Sequence, residues 1–219
     1  MYVTGTDTGV GKTLASAALL YALRAGGRGA VGMKPVASGC EPGADGWRNA
    51  DALALQVASD PRPPYADVNP YALPAATAPQ LAAREAGIEV AIGPLLAAHA
   101  RLATLADLVV VEGVGGWLAP LADGFEQSAL VQALEIDVVL VVGLRLGCLN
   151  HARLSARAIA DDGCRLAGWI GSAVDPEFER IEGYVQLIGA ALPVPCLGVL
   201  PYMARPDAAR AARALTLPL

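Results

Sequence analysis

Histidine and cysteine are scarce in this chain, with two of the first and four of the second among 219 residues. The cysteines, at positions 40, 148, 164 and 196, are widely spaced and form no Cys-x-x-Cys pair. That excludes a zinc-finger or zinc-ribbon framework. Reduced, buried thiols in a cytoplasmic protein are the expectation. Charge is sparse too: 17% of residues are charged and the formal net charge is −5. No basic run or stripe is present, which argues against a nucleic-acid partner. No apolar run approaches the ~18 residues that a membrane-crossing helix needs. A basic amphipathic tail for a membrane surface is also missing. No leader is expected, because a structured motif starts within a few residues of Met1. Repeats and low-complexity tracts are lacking.

What the chain has is apolar bulk. Hydrophobic residues make up 54% of it, mostly Ala, Val and Leu. Such a composition suits a parallel sheet buried beneath Ala-rich helices, or an apolar face hidden against a second subunit. Continuous apolar runs predict strands at Tyr2–Thr4, Ala30–Lys34, Leu108–Glu112, Val138–Gly143, Ala167–Gly171 and Leu197–Leu200. Helices are predicted at Thr13–Ala25, Asn49–Ala58, Ala78–Ala86, Ile92–Thr104, Glu126–Glu135, Asn150–Asp161 and Glu177–Ala191, with a weak one after Pro206. This rhythm predicts one α/β domain over 1–219, with a doubly wound, mostly parallel sheet and helices on both faces. Between Cys40 and Pro79 the rhythm breaks into a Pro-, Gly- and Asp-rich stretch with a single clear helix, as expected of a functional insertion.

The most informative residues are Gly5-Thr6-Asp7-Thr8-Gly9-Val10-Gly11-Lys12-Thr13. A short strand enters a glycine-rich turn and a helix follows. Loop N–H groups and the helix N-terminus would aim positive potential at an anion. Lys12 would add charge for the outer phosphates of a nucleoside triphosphate, and Thr13 a hydroxyl for Mg2+. In the usual G-x4-G-K-[ST] spacing the first glycine would fall at Thr6; Gly5 sits one residue early.

Four further pieces follow. Lys34, in Lys34-Pro35-Val36-Ala37-Ser38-Gly39, ends the second strand, and ligands in open α/β sheets bind beyond strand carboxyl ends. Two lysines there suit charge on a transferring phosphoryl group; a solvated strand-end lysine is the alternative. In Arg48-Asn49-Ala50-Asp51, Asn49 is a natural N-cap. Asp51 either complements the helix dipole or serves the site, and the stretch alone leaves both open. Val111-Glu112-Gly113-Val114-Gly115-Gly116 places an acid at a strand end before a glycine turn, where a cation beside the carboxylate would offset its burial. Leu146-Gly147-Cys148-Leu149-Asn150-His151 opens another helix, with Asn150 a plausible N-cap; His151 reads as a surface or capping residue more readily than as a general base.

Together, and in this order along nearly the whole chain, these motifs resemble the dethiobiotin synthetase family. The resemblance implies a homodimeric cyclo-ligase with a P-loop fold like that of the nitrogenase iron protein. It would use ATP and Mg2+ to close the ureido ring of dethiobiotin from 7,8-diaminononanoate and CO2, in biotin synthesis. Lys12 and Lys34 would be the catalytic charges. Thr13, Asp51 and Glu112 would hold Mg2+, a hard ion that takes oxygen ligands. The nucleotide would rest on Thr8, Gly9, Val10, Gly11, Lys12, Thr13, Leu14, Asp51, Glu112, Gly113 and Gly115. Its base would meet Ser172, Pro201, Tyr202, Met203 and Asp207. Ser38 and Thr8 would hold the reacting end of the diamine. Gly147, Cys148, Leu149 and Asn150 of a second subunit would take the distal carboxylate.

Ser172 stands where the family often carries Asn, and a hydroxyl cannot pair bidentately with a base edge. Base preference is therefore open, and Tyr202 reads equally as a core residue. Arg145 replaces a common Lys, keeping the charge with another geometry. Asp7 occupies the place where switch ATPases of the partition and septum-site type carry a second lysine, which argues against that class. A cobyrinate-type amidotransferase would need a glutaminase domain for which the chain leaves little room.

Overall fold

The computed structural model describes residues 1–217. Strand β1 (Tyr2–Gly5) is buried throughout. The chain then turns through Gly9 and Gly11, at φ 73° and 86°, into α1 (Lys12–Ala25). That left-handed backbone is open to glycine at little cost. Strand β2 (Ala30–Met33) precedes three short strands, β3 (Val36–Ser38), β4 (Glu41–Gly43) and β5 (Gly46–Arg48). Helices α2 (Ala50–Ala58) and α3 (Tyr65–Val68) follow, then β6 (Tyr71–Leu73), α4 (Pro79–Ala86) and α5 (Ile92–Ala103). The remainder alternates regularly: β7 (Leu108–Gly116), α6 (Gln127–Leu134), β8 (Val138–Leu144), α7 (Cys148–Asp161), β9 (Leu166–Ala173), α8 (Ile181–Ala191), β10 (Cys196–Leu200) and α9 (Ala208–Ala211).

Six strands form one parallel sheet in the order β10-β9-β8-β1-β7-β2. Side chains alternate across a strand, so neighbouring residues go to opposite cores. Tyr2, Val111, Leu140 and Val142 pack on one face with Leu95, Leu102, Leu130 and Ile159 from α5, α6 and α7. Val3, Val110, Val139 and Val141 pack on the other with Leu19, Leu20 and Leu55 from α1 and α2. Both faces are covered, which explains why the strands read as unbroken apolar runs. The insertion contributes two small ribbons, β3 with β6 and β4 with β5.

Strand β1 is first in the chain and sits between β7 and β8. The chain goes to one side of it for β2 and β7 and to the other for β8, β9 and β10. The carboxyl end of β1 is thus the topological switch point, where open α/β sheets bind ligands.

Several boundaries differ from the sequence expectation. Helix α7 starts at Cys148 with Gly147 as its cap at φ 93°, so Asn150 lies inside the first turn and caps nothing. Helix α8 starts at Ile181, not Glu177, because Arg180 adopts a left-handed conformation. Strand β7 does not end at Glu112 but runs to Gly116, pairing Gly116 with Gly5. Cys40, Cys148 and Cys164 are buried free thiols, but Cys196 is exposed.

Candidate active site

At the switch point lies a cavity of about 950 Å³. The glycine loop and α1 supply Thr8, Gly9, Gly11, Lys12, Thr13 and Leu14 to its wall. Lys34, Ser38, Asn49, Asp51, Glu112, Gly115, residues 76–79 and Ala119 continue the same wall.

Lys12 opens α1 and is almost fully buried. Its Nζ donates to the backbone oxygens of Asp7 (2.9 Å) and Gly115 (2.7 Å). Burial, with Lys34 nearby, lowers its pKa to about 8 despite Glu112, Asp51 and Asp7. It is a cation short of counter-charge, suited to an incoming anion.

Lys34 follows β2 directly. Its loop is fixed from both sides, since its N–H donates to the Val68 oxygen (2.7 Å) and its own oxygen accepts from Asn69 Nδ2 (2.7 Å). The side chain runs to the centre of the site. Nζ donates to Glu112 Oε1 (2.6 Å), Asp51 Oδ2 (3.1 Å) and the Gly113 oxygen (3.1 Å). Burial alone would lower the Lys34 pKa, but the two carboxylates outweigh it and raise it. Burial likewise acts to raise Asp51, and Lys34 with Thr13 and Lys12 overrides it, holding Asp51 below the usual carboxylate range.

Glu112 is fully buried. Its Oε1 accepts from Lys34 and from Thr13 Oγ1 (2.9 Å). Its Oε2 is buried with no partner. An orphaned carboxylate oxygen beside a hydroxyl and a second carboxylate is an incomplete coordination set of hard donors. Among the described residues no three His, Cys, Asp or Glu side chains gather to hold a metal. The Thr13 hydroxyl and the Asp51 and Glu112 carboxylates fit Mg2+, which takes few protein oxygens and keeps waters and phosphate oxygens among its other ligands.

Asn49 places Asp51. Its Oδ1 accepts from the N–H of Asp51 (3.0 Å) and Ala52 (3.3 Å), capping α2. Its Nδ2 donates to the Ser38 oxygen (3.2 Å), joining that loop to the helix start.

Other predicted residues lie elsewhere. Val10 turns away from the cavity and packs against the sheet, where a Cβ on Gly5 would come within 2.6 Å of it and one on Gly143 within 2.9 Å. Ser172 is buried beneath the glycine loop, its Oγ 2.5 Å from where a Cβ on Gly11 would stand. Among the described residues, Ser172, Pro201, Tyr202 and Met203 are outside the cavity wall, and Tyr202 is half exposed. Asp207 caps α9 by accepting from the Arg210 N–H (3.0 Å). It lines an adjoining cleft of about 530 Å³ with Tyr21, Val57 and Arg205. Gly147, Cys148, Leu149 and Asn150 are also away from the wall, and Leu146 beside them is 82% exposed. Arg145 pairs with Asp7 across the loops at 2.7 Å, an exposed contact worth at most about 1 kcal/mol.

Sequence reasoning missed Tyr2 and Gln127, both fully buried next to the Gly113–Ala119 loop. Gln127 opens α6 within the helix expected over Glu126–Glu135, and only its buried partner at Tyr2 reveals it.

A family model described as an AAA domain matches residues 1–210. The chain is 59% identical over 217 residues to the ATP-dependent dethiobiotin synthetase BioD of Xanthomonas euvesicatoria pv. vesicatoria, covering 99% of this chain and 97% of that protein. It is 61% identical over 202 residues to the protein of the same name from Xylella fastidiosa, covering 92% and 89%. Among solved structures it is similar to the MinC:MinD cell division protein complex of Aquifex aeolicus, with TM-score 0.57, 16% identity and coverage of 100% and 97%. That last likeness is of fold alone.

Proposed function

The chain belongs to the ATP-dependent dethiobiotin synthetase family, and on that premise we propose how its residues divide the chemistry. It is a cyclo-ligase of biotin biosynthesis that uses ATP and Mg2+. In the proposed sequence one amine of 7,8-diaminononanoate adds to CO2 and loses a proton, giving a carbamate. A carbamate oxygen attacks the γ-phosphorus of ATP, and ADP leaves. The second amine attacks the carbonyl carbon, loses a proton and expels phosphate, and the ureido ring is closed.

Little covalent work falls to the protein, so positioning and charge carry the rate. Lys12 would cover the outer phosphates as they move. Lys34 would face the oxygens of carbamate and phosphoryl group, its charge kept by Glu112 and Asp51. Ser38 and Thr8, on the same wall, would hold the reacting end of the diamine. Thr13, Asp51 and Glu112 would hold Mg2+, which when bound neutralises phosphate charge. The base would lie toward Pro206 and Asp207, within reach of Tyr202. A homodimer would bring Gly147–Asn150 of a second copy to the distal carboxylate. We place the enzyme in the cytoplasm, acting on small molecules and neither nucleic acid nor membrane; no described helix is long and apolar enough to cross a bilayer.

The observation that carries this division is the burial of Lys34 between Glu112 and Asp51 on the wall that Lys12 and Thr13 also line. The test is phosphate release with dethiobiotin detected directly. Release is expected only with diaminononanoate and bicarbonate both present. Equal hydrolysis without the diamine would overturn it. Varying the nucleoside triphosphate in single turnovers reads base preference in the same assay.

A further inference from the structure

Gln127 makes more side-chain contacts to the Gly113–Ala119 loop than any catalytic group does, and it touches neither lysine. Its Nε2 donates toward the oxygens of Val114 (3.1 Å), Gly116 (2.8 Å), Trp117 (3.0 Å) and Ala119 (2.7 Å). A primary amide has two hydrogens, so four carbonyls share them. Its Oε1 accepts from the Tyr2 hydroxyl (2.7 Å) and the Val114 N–H (3.2 Å). The Val114 N–H, which can only donate, and the four carbonyls, which can only accept, decide which end of the amide faces which partner; the Tyr2 phenol donates to the remaining lone pair of Oε1 and holds that end in place. Tyr2 is itself held in the centre of the sheet and stands edge-on to Trp117 at 6.2 Å.

The carbonyls of this segment alternate in direction. Val114 and Gly116 point to Gln127. Gly113 and Gly115, between and before them, point the other way, to Lys34 and Lys12. Holding one set fixes the other. Gly113 has to be glycine for the same reason: a Cβ there would collide with Gln127 Oε1 and the Tyr2 hydroxyl.

We propose that Gln127, held in place by Tyr2, is a positioning residue that sets both catalytic lysines by clamping the alternate carbonyls of Gly113–Ala119, the end of β7 and the turn after it. This rests on the roles given to Lys12 and Lys34 above. A shift of about 1 Å in a reacting group costs on the order of 100-fold in rate, and the loop carries one seat of each lysine.

The test compares wild type with Gln127→Met, Tyr2→Phe and the double variant. Gln127→Met keeps the volume and removes the donors. Its kcat should fall by about 10- to 100-fold, with KM for the diamine changed less than about threefold. Amide exchange should speed up across 113–119 and not in β8 or β9. Tyr2→Phe should lower kcat less, and nothing further in the Gln127→Met background, since it acts only through the amide. Unchanged exchange at 113–119, kcat within about twofold of wild type, or a loss that merely tracks the unfolded fraction would each overturn the proposal. Exchange is read without turnover, so it tests the clamp even if the ligase assignment fails; a wild type that makes no dethiobiotin counts against that assignment alone.

Discussion

Replacing Lys34 by Met keeps most of the side-chain volume and removes the charge, and it should separate stability from turnover. Lys34 and Glu112 have side-chain exposures of 5% and 0%. Removing one partner of so buried a pair leaves the other charge uncompensated, at about 3–5 kcal/mol. The Thr13 hydroxyl stays on Oε1, which puts the expectation at the lower end. Asp51 adds little, because its side chain is 44% exposed and water replaces the lost contact. A loss of about 3 kcal/mol against a total of roughly 5–15 leaves the protein folded at 25 °C. For a chain of this size it lowers Tm by about 6–12 °C. Turnover should fall further, by about 100- to 1000-fold, as when a donor to a developing charge is removed.

The pH signs are fixed by the directions of the shifts. The folded-state pKa of Lys34 is raised, so its contribution is complete below the ordinary lysine value of about 10.4 and fades only above it. Asp51 is lowered, so its contribution is present above about 3.9 and fades as pH falls through its folded value. The stability that wild type owes to these two groups should therefore be flat between about pH 5 and 9. Urea unfolding followed by tryptophan fluorescence measures it, and coupled phosphate release measures turnover. Adding Glu112→Gln should restore most of the stability and none of the rate. A single variant within about 1 kcal/mol of wild type that also turns over within tenfold would refute the closed, charge-paired centre.

Lys12, lowered to about 8, should take up a proton when a triphosphate binds at pH above 8; calorimetry in buffers of different ionisation enthalpy reads this as a buffer-dependent heat that disappears near pH 6. The same shift makes the empty protein gain stability as pH rises from about 8 to 10.4, because the unfolded chain binds the extra proton there. Asn49→Ala removes the cap of α2 and should cost about 1 kcal/mol, with weaker Mg2+-dependent nucleotide binding as Asp51 loses its place. Gly11→Ala needs φ 86° and meets Ser172 Oγ at 2.5 Å; nucleotide affinity in an equilibrium binding assay should fall at least about tenfold, by the same strain that costs about 1–3 kcal/mol in the backbone.

The sheet and the phosphate end were legible because each depends on local pattern. Apolar runs mark strands covered on both faces, and Gly9, Gly11, Lys12 and Thr13 are contiguous. Lys34 and Glu112 are both expected at one crevice, but their direct contact appears only in the structure. Three things were not legible. The start of α7 turned on a left-handed Gly147, and a nearby Asn150 looked the better cap. The reach of β7 past Glu112 depended on Gly5 of a distant strand. Gln127 and Tyr2 are separated by most of the sheet's connectivity, and neither residue type announces a partner until the fold brings them together.

The central place of β1 has a consequence for how the protein comes to exist. Its four residues are made long before their pairing partners, Val111 and Glu112 on one side and Val138 to Val141 on the other. Closing contacts over more than a hundred residues is slow, since the chain entropy is spent before the strand pairs reward it. On the ribosome the glycine loop is made well before Glu112 and Gly115, which complete its wall, and β1 lacks its second neighbour until β8 has been synthesised. Nucleotide then acts as a late fastener of the nascent chain, and a ribosome-bound fragment ending before β8 should be open to protease with or without ATP.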